Sequence, residues 1–234
     1  MDIHSKILVH WTGKKVTKKG SRFIKETKYV ERLKDYYQKG LFAKRTYEDS
    51  IRNWKIKNLI RICFTEIRLS QVQKHANRYG KLGIGFTRDF IINKGGRPVI
   101  YIPFKPKDGI LEESITQIHK ISKSNNDEIH MLIKWIMAHV KRMSNGKSED
   151  SPDYENYYEE MEWRLVYDES PDNKHFIKGK SKDFYRLKFG PSDIKIIIFP
   201  NEHIMQMSLK DADLKKYFSK HMPILVTLED CTNF

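Results

Sequence analysis

The stretch Glu160-Met161-Glu162-Trp163-Arg164-Leu165-Val166-Tyr167 joins a strand-forming segment to two carboxylates. Trp163 to Tyr167 is aromatic, apolar and β-branched, which predicts a β-strand, and the acidic run before it predicts a loop. Because side chains alternate along a strand, we expect Glu160 and Glu162 to point to the same face. Two carboxylates held close together repel each other, which raises the proton affinity of one of them. Such a pair suits acid/base chemistry or the stabilisation of a positive charge. A solvated acidic loop before a strand is the alternative.

Strand and helix patterns are mixed along the rest of the chain. Apolar runs bounded by turn residues predict further strands at 7–11, 59–64, 82–86, 194–199 and 224–228. Helical spacing is found at 29–38, from Ser70 as N-cap toward Tyr79, and over 111–140 with a break at 122–126. We therefore predict one α+β domain over residues 1–234, with a largely antiparallel or split sheet flanked by helices.

Two segments predict local turns. Asn93-Lys94-Gly95-Gly96-Arg97 is typical of a hairpin turn, which would join a strand at 90–92 to a strand at 98–102. The polar, turn-rich region near 144–158 predicts an exposed loop.

The charge balance favours a polyanionic partner. Lysine and arginine number 44 against 30 acidic residues, a formal net charge of +14. Such an excess attracts nucleic acid through counterion release and steering. The lysines are dispersed, however, and a composition rich in Lys, Ile and Asn also reflects an AT-rich genome, so both readings stay open.

Cysteine content and hydropathy bound the location. The two cysteines, Cys63 and Cys231, form neither a CxxC pair nor a disulfide framework, which indicates a reducing compartment. The first residues do not resemble a secretory signal, and no run approaches the roughly 20 apolar residues of a membrane helix. We expect a soluble cytoplasmic protein without membrane association.

Four residues are candidates for polar or stacking contacts with a ligand. His10 and Thr12 alternate on the first strand and can hold a ribose or another polar group by hydrogen bonds. Thr65 follows a strand end, where hydroxyls often face a cleft. Tyr79 precedes a glycine-rich stretch, 80–85, and can stack on a planar ring. The alternatives are a core histidine, ordinary helix entry and a packing tyrosine beside a tight turn.

No metal site is predicted. His130 and His139 are nine residues apart, which is the wrong spacing for one helical face to chelate a metal ion. The clustered acidic and lysine signature of a metal-dependent nuclease is not found beyond the Glu160/Glu162 pair.

Several sequence blocks resemble the bacterial abortive-infection AbiGi family. They occur in this order: Leu8-Val9-His10-Trp11-Thr12-Gly13, Cys63-Phe64-Thr65-Glu66-Ile67, Tyr79-Gly80-Lys81-Leu82-Gly83-Ile84-Gly85-Phe86, Gly96-Arg97-Pro98-Val99-Ile100-Tyr101 and Leu225-Val226-Thr227-Leu228-Glu229-Asp230-Cys231. The resemblance covers nearly the whole chain. It implies a role in phage defence as the antitoxin of a phage-resistance module, with a cognate toxin as partner, and says little about chemistry.

A weaker resemblance concerns chemistry. The chain is similar to ADP-ribosyltransferases in three features: His-x-Thr on a first strand, a hydroxyl after a second strand and Glu-x-Glu at a late strand. The resemblance implies NAD as co-substrate, with His10 and Thr12 on its ribose and Glu162 as the carboxylate that stabilises the transition state. Glu160 would then orient an acceptor.

The match to that superfamily is short and gapped. Thr65 is its second-strand hydroxyl, and the stacking aromatic is Tyr79, with Tyr36 and Tyr101 as alternatives. Several members carry an arginine where His10 stands. Two functions follow as expectations: transfer of ADP-ribose to nucleic acid or protein, or a non-catalytic antitoxin or sensor that binds a toxin or nucleic acid.

Overall fold

The strands and helices come from a computed structural model, which describes residues 6–14, 22–51, 54–66, 71–103, 113–114, 117–118, 120–121, 127–144, 156–167, 174–179 and 184–232. The strands are β1 Ile7–Thr12, β2 Leu41–Ile51, β3 Trp54–Thr65, β4 Leu82–Thr87, β5 Arg97–Pro98, β6 Ile100–Ile102, β7 Val140–Arg142, β8 Glu162–Val166, β9 Phe176–Lys178, β10 Phe184–Leu187, β11 Ile194–Phe199 and β12 Ile224–Thr227. The helices are α1 Arg22–Lys39, α2 Val72–Tyr79, α3 Arg88–Asn93, α4 Asp127–Met137, α5 Glu202–Lys210, α6 Ala212–Phe218 and α7 Leu228–Thr232.

One large sheet organises these elements. Its strand order is β12-β11-β4-β1-β3-β2-β10-β9, and β8 pairs with β3 and β5 beside this path. Within it, β11 and β12 run parallel and the other paired strands run antiparallel. A separate parallel pair joins β6 to β7. The prediction of an α+β fold with a largely antiparallel sheet is confirmed.

Helices cover both faces of the sheet. On one face, apolar residues of α1, α5 and α6 pack on β1, β3 and β4, with Leu33 and Leu214 fully buried. On the other face, α2 and α7 pack against Val9 and Ile198 on one half of the sheet. The pair β6–β7 and the end of α4 cover the half that contains Val166. The second face is therefore covered by two separate clusters, and the candidate site lies between them.

The sheet splits at β3. One edge of β3 pairs with β2 as far as Arg61, and the same edge meets β1 only where Thr65 lies opposite Val9. The opposite edge pairs with β8 from Arg61 to Thr65. Between these pairings, the edge of β3 that faces β1 lacks a ladder partner among the described residues, which opens a gap in the sheet.

Three local predictions need correction or completion. Residues 90–92 are helical in α3, not a strand, because the Thr87 hydroxyl caps the helix by accepting from Phe90 N at 3.1 Å. The turn at 93–97 therefore joins a helix to β5, so the hairpin prediction was wrong. Ser70 lies outside the described residues, and the N-cap position of α2 is Gln71.

The predicted helix over 111–140 and the loop near 144–158 are described only in part. Helix α4 ends at Met137, and Val140 already belongs to β7, so the end of the predicted helix was placed too late. Residues 145–155 lie outside the described part, but Ser144 forms a β-bridge with Asn156 and a 3₁₀ turn spans Tyr158–Glu160.

Candidate functional site

Two cavities lie at the junction of α2, β8 and the 3₁₀ turn. The smaller, which we call the crevice, encloses about 180 Å³ and is lined by Val9, His10, Trp11, Arg61, Cys63, Thr65, Tyr79, Lys141, Glu160 and Glu162. The larger, which we call the main cavity, encloses about 970 Å³ between α2, β6, β8 and the 3₁₀ turn. Glu162 lines both. The crevice thus brings together five of the six candidate residues, and Thr12 is the one that does not line it.

His10 reaches the crevice through the gap in the sheet. The register places Val9, Thr65 and Glu162 on one face, so His10 belongs to the opposite face. There its ring contacts Tyr36 and Phe64, at centroid distances of 6.1 and 5.9 Å. Its Nδ1 lies 2.9 Å from the Cys63 carbonyl oxygen, in the stretch of β3 that lacks a ladder partner.

The bond to a carbonyl fixes the tautomer of His10. A carbonyl oxygen can only accept, so Nδ1 carries the proton and Nε2 is left as an acceptor. Burial lowers the pKa of His10, although the bond to Cys63 opposes this effect, and the imidazole is neutral at neutral pH.

The two threonines are already occupied by protein contacts. The Thr65 hydroxyl accepts from Trp11 Nε1 at 3.0 Å and donates to the Val9 carbonyl at 3.3 Å, which ties β3 to β1 at their single paired position. The Thr12 hydroxyl bonds to the Tyr36 hydroxyl at 2.9 Å and accepts from Arg32 at 3.1 Å. Both hydroxyls therefore have a structural role.

The acidic pair meets, but not by strand alternation. Glu160 belongs to the 3₁₀ turn, and Met161 adopts a left-handed conformation at φ 42°, so only Glu162 belongs to the strand. Lys141 on β7 joins the two carboxylates, with Nζ 2.6 Å from Glu160 Oε2 and 2.8 Å from Glu162 Oε2. The two carboxylates therefore do face the same site, but strand alternation, on which the prediction rested, is not the cause.

The pKa of Glu162 is lowered, whereas the sequence predicted that the acidic pair would raise it. Burial alone would raise its pKa, but the charges of Arg164 and Lys141 outweigh burial and hold the pKa far below its ordinary value. Arg164 is fully buried and donates from Nε to Glu162 Oε1 at 2.8 Å. These two cations thus favour the ionised form of Glu162 at neutral pH.

Tyr79 is held by the other carboxylate. Its hydroxyl donates to Glu160 Oε1, which also accepts from Arg78 at 2.8 Å. Burial and the neighbouring Glu160 charge raise the pKa of Tyr79. The two alternative aromatics are also engaged: Tyr36 bonds to Thr12, and the Tyr101 hydroxyl accepts from Glu162 N at 2.8 Å.

Sequence comparison places the chain in a family. Residues 34–200 match the model of a family described as "Putative abortive phage resistance protein AbiGi, antitoxin". The chain belongs to the AbiGi family. Its biological role accordingly lies in phage defence, and the predicted kinship is confirmed.

No curated protein matches the sequence. Among solved structures, DarT from Thermus sp. 2.9 in complex with NAD+ is similar with a TM-score of 0.41 and 10% sequence identity, over 97% of this AbiGi chain and 96% of that chain.

Sequence reasoning missed three residues of the site of this AbiGi protein. Arg164 had a usable signal, because it lies two positions after Glu162 on a strand and must share its face. Lys141 had none, since it approaches from β7. Glu66, which follows Thr65 at the end of β3, is a buried carboxylate that accepts from Trp163 Nε1 at 2.8 Å and pairs with Arg88.

The described part of this AbiGi chain lacks two kinds of feature. No group of three or more His, Cys, Asp or Glu side chains there is arranged to hold a metal ion. No helix among those residues has the length and apolar character to cross a membrane.

Proposed function

We propose that this phage-defence protein uses NAD as a co-substrate and transfers ADP-ribose to nucleic acid or protein. The supporting observation is the crevice, where His10, Tyr79 and Glu162 converge although they are distant in sequence. The fold we propose for it is an ADP-ribosyltransferase-like single domain.

The sizes of the two cavities define how a dinucleotide would bind. Pockets for ligands of drug size enclose roughly 300 to 1,000 Å³, so the crevice can take only a small group such as a ribose. The main cavity, at about 970 Å³, has room for the remainder. Glu162 lies where the two meet, so a bond that spans the boundary would pass beside its carboxylate.

The residues fit such a ligand electrostatically. Lys141, Arg61 and the neighbouring Arg78 and Arg164 surround the two carboxylates of the crevice, so the local balance is positive and suits a diphosphate. His10 Nε2 is an acceptor and can receive a hydrogen bond from a ribose hydroxyl.

NAD would supply a glycosidic bond whose cleavage builds positive charge on the ribose. Glu162 contributes a fixed negative charge, which stabilises that positive charge more strongly in the transition state than in the ground state. Its lowered pKa keeps the carboxylate ionised, and Arg164 and Lys141 hold its orientation. Arg164 and Lys141 also offset part of the negative charge of Glu162. Because this would weaken the stabilisation, we expect Lys141 to move away from Glu162 and toward the diphosphate when the ligand binds.

The reaction can be tested with labelled NAD. Purified protein is incubated with labelled NAD and cell extract, and nicotinamide release and label transfer are both measured. The wild type is expected to be active and Glu162→Gln inactive, whereas Glu202→Gln, an exposed carboxylate at the start of α5 that lines neither cavity, keeps activity. Absence of turnover in the wild type, or equal turnover in Glu162→Gln, would rule out the enzyme.

A second candidate function is a non-catalytic antitoxin or sensor that binds a cognate toxin or nucleic acid. It is favoured by the pairing of Glu162, since Arg164 and Lys141 together occupy both its oxygens. Neutralisation of a toxin encoded beside the gene is the discriminating assay. This function predicts that Glu162→Gln still neutralises and that charge reversal of surface lysines abolishes binding. For either function we propose a cytoplasmic location.

A further inference from the structure

Helix α4 is apolar on two faces, and only one of these faces is packed. Ile133 and Met137 are buried and pack with apolar residues of β6, β7 and β8. The remaining surface of the helix presents four large apolar side chains that are between 37% and 59% exposed: Ile129, Leu132, Trp135 and Ile136. A helix that is apolar all round is normally buried, so we expect the exposed face of α4 to have a partner.

The exposed apolar surface continues past the end of α4 and meets a cation there. Ile100 on β6 is 56% exposed, and its backbone N donates to the His139 carbonyl oxygen at 2.7 Å. Burial lowers the pKa of His139, and the charge of exposed Arg97 adds to this effect, so Arg97 is also near the end of the helix. Arg97 donates to the backbone carbonyls of Ile92 and Gly96 and pairs with no carboxylate of the described residues. We call the five exposed apolar side chains the α4 patch: Ile100, Ile129, Leu132, Trp135 and Ile136.

Spacing, charge and area together select the occupant of the α4 patch. Ile129, Leu132 and Ile136 recur at i, i+3 and i+7, which is the spacing that meets a facing α-helix. A second copy carries the same net charge of +14 and is repelled, whereas an acidic protein is attracted. A standard interface buries about 800 Å² per partner, which is more than five partly exposed side chains provide. The partner therefore also contacts the polar rim of the patch, where Arg97 offers a positive charge to a carboxylate.

We propose that the α4 patch is the docking surface for an acidic protein that presents an amphipathic helix, and that docking acts on Glu162 through buried cations. The apolar face of the partner helix packs on the patch, and a carboxylate beside that face pairs with Arg97.

Two cations connect the end of α4 to Glu162. The carbonyl oxygen of Ala138, the residue directly after the helix, accepts from Arg164 Nη1 at 2.6 Å. Arg164 in turn donates to both oxygens of Glu162, from Nε at 2.8 Å and from Nη2 at 3.3 Å. Lys141, on the strand that follows α4, also bonds to Glu162 at 2.8 Å. A partner that displaces the end of α4 therefore changes the ion pairs of Glu162. This regulatory step rests on the proposed function, whereas docking itself does not.

The docking test is a titration of the full chain with a stapled synthetic helix, followed by fluorescence anisotropy. The helix carries leucines at i, i+3 and i+7 with glutamates beside them. Leu132→Glu is expected to weaken binding about 30-fold, the effect of losing one central interface residue. Met222→Glu makes the same kind of change beside β12, where the side chain is 55% exposed, and should bind as the wild type does. A probe helix with lysines in place of the glutamates should bind about ten-fold more weakly than the acidic helix.

Several outcomes would overturn the docking surface. They are absence of binding by the acidic helix, equal affinity in Leu132→Glu, and equal affinity for the lysine-containing helix. A dimer in sedimentation that Leu132→Glu dissociates would assign the patch to a second copy instead. Binding to phosphatidylglycerol vesicles without binding to the acidic helix would assign it to a membrane surface.

The link to Glu162 is tested by NMR without any turnover. The Arg164 Nε–H signal, identified by its displacement in Glu162→Gln, is expected to shift when the wild type binds the acidic helix. An unchanged signal at saturation would refute the link. Because neither measurement uses NAD, inactivity of the protein toward NAD would defeat the proposed function and leave the docking result intact.

Discussion

Replacing Lys141 by methionine should destabilise the protein strongly. The Lys141 side chain is 11% exposed and bonds to two carboxylates that are 3% and 5% exposed. Removing one partner of a buried ion pair costs about 3 to 5 kcal/mol, because the remaining charge is left without full compensation. Glu160 keeps Arg78 and Tyr79, and Glu162 keeps Arg164, so we expect the lower end, about 3 kcal/mol.

The assay is urea unfolding followed by circular dichroism, with Lys74→Met as matched control. Lys74 pairs with Glu159, which lies on the same 3₁₀ turn as Glu160. These two side chains are 73% and 49% exposed, so loss of the pair should cost less than about 1 kcal/mol. The double variant Lys141→Met/Glu160→Gln should recover part of the loss, because it removes one uncompensated carboxylate. Equal effects of the two lysine variants would refute the reasoning.

Three further predictions concern stability. The folded pKa of His75 is lowered to about 4 from 6.5, so its contribution is fully present above pH 6.5 and is lost as pH falls toward 4. At most about 3 kcal/mol is involved, and unfolding curves at several pH values should show this slope weakened in His75→Phe. Gly85→Ala places a methyl group 2.4 Å from Ile196 Cγ2, which should cost about 1 to 3 kcal/mol in chemical denaturation; an unchanged midpoint would contradict it. Trp163→Phe removes the indole donor to buried Glu66 and should cost about 1 to 3 kcal/mol, measured in the same way; a neutral effect would show that the bond contributes nothing.

The strand framework could be read from the sequence because its apolar runs are short and bounded by turn residues. β1, β8, β11 and β12 agree with their predicted segments within a residue or two. The prediction of a strand at 90–92 was wrong because Phe-Ile-Ile favours a strand. The decisive signal was Thr87, whose hydroxyl caps the helix.

Five of the six candidate residues line the crevice, but the sequence did not predict the electrostatics of that crevice. Strand alternation relates residues two positions apart, so it can identify Arg164 as a neighbour of Glu162. It cannot reveal Lys141, because the contact depends on how β7 packs over β8. Without that cation, two adjacent carboxylates indicate a raised pKa; with it and Arg164, the pKa of Glu162 is lowered.

The left-handed backbone conformation of Met161 could not be predicted from the sequence pattern either. A positive φ at a non-glycine residue is uncommon, and nothing in the sequence marks this position. It turns the chain between the 3₁₀ turn and β8, which allows Glu160 to reach Lys141 from outside the strand.

A crystal structure of Glu162→Gln with NAD is the most direct test of the central claim, since this variant should bind without turnover. We expect density for the dinucleotide across the crevice and the main cavity, with a ribose hydroxyl near His10 Nε2 and its glycosidic bond beside residue 162. Density bound elsewhere on the surface, or empty cavities under conditions where calorimetry shows NAD bound, would contradict the account.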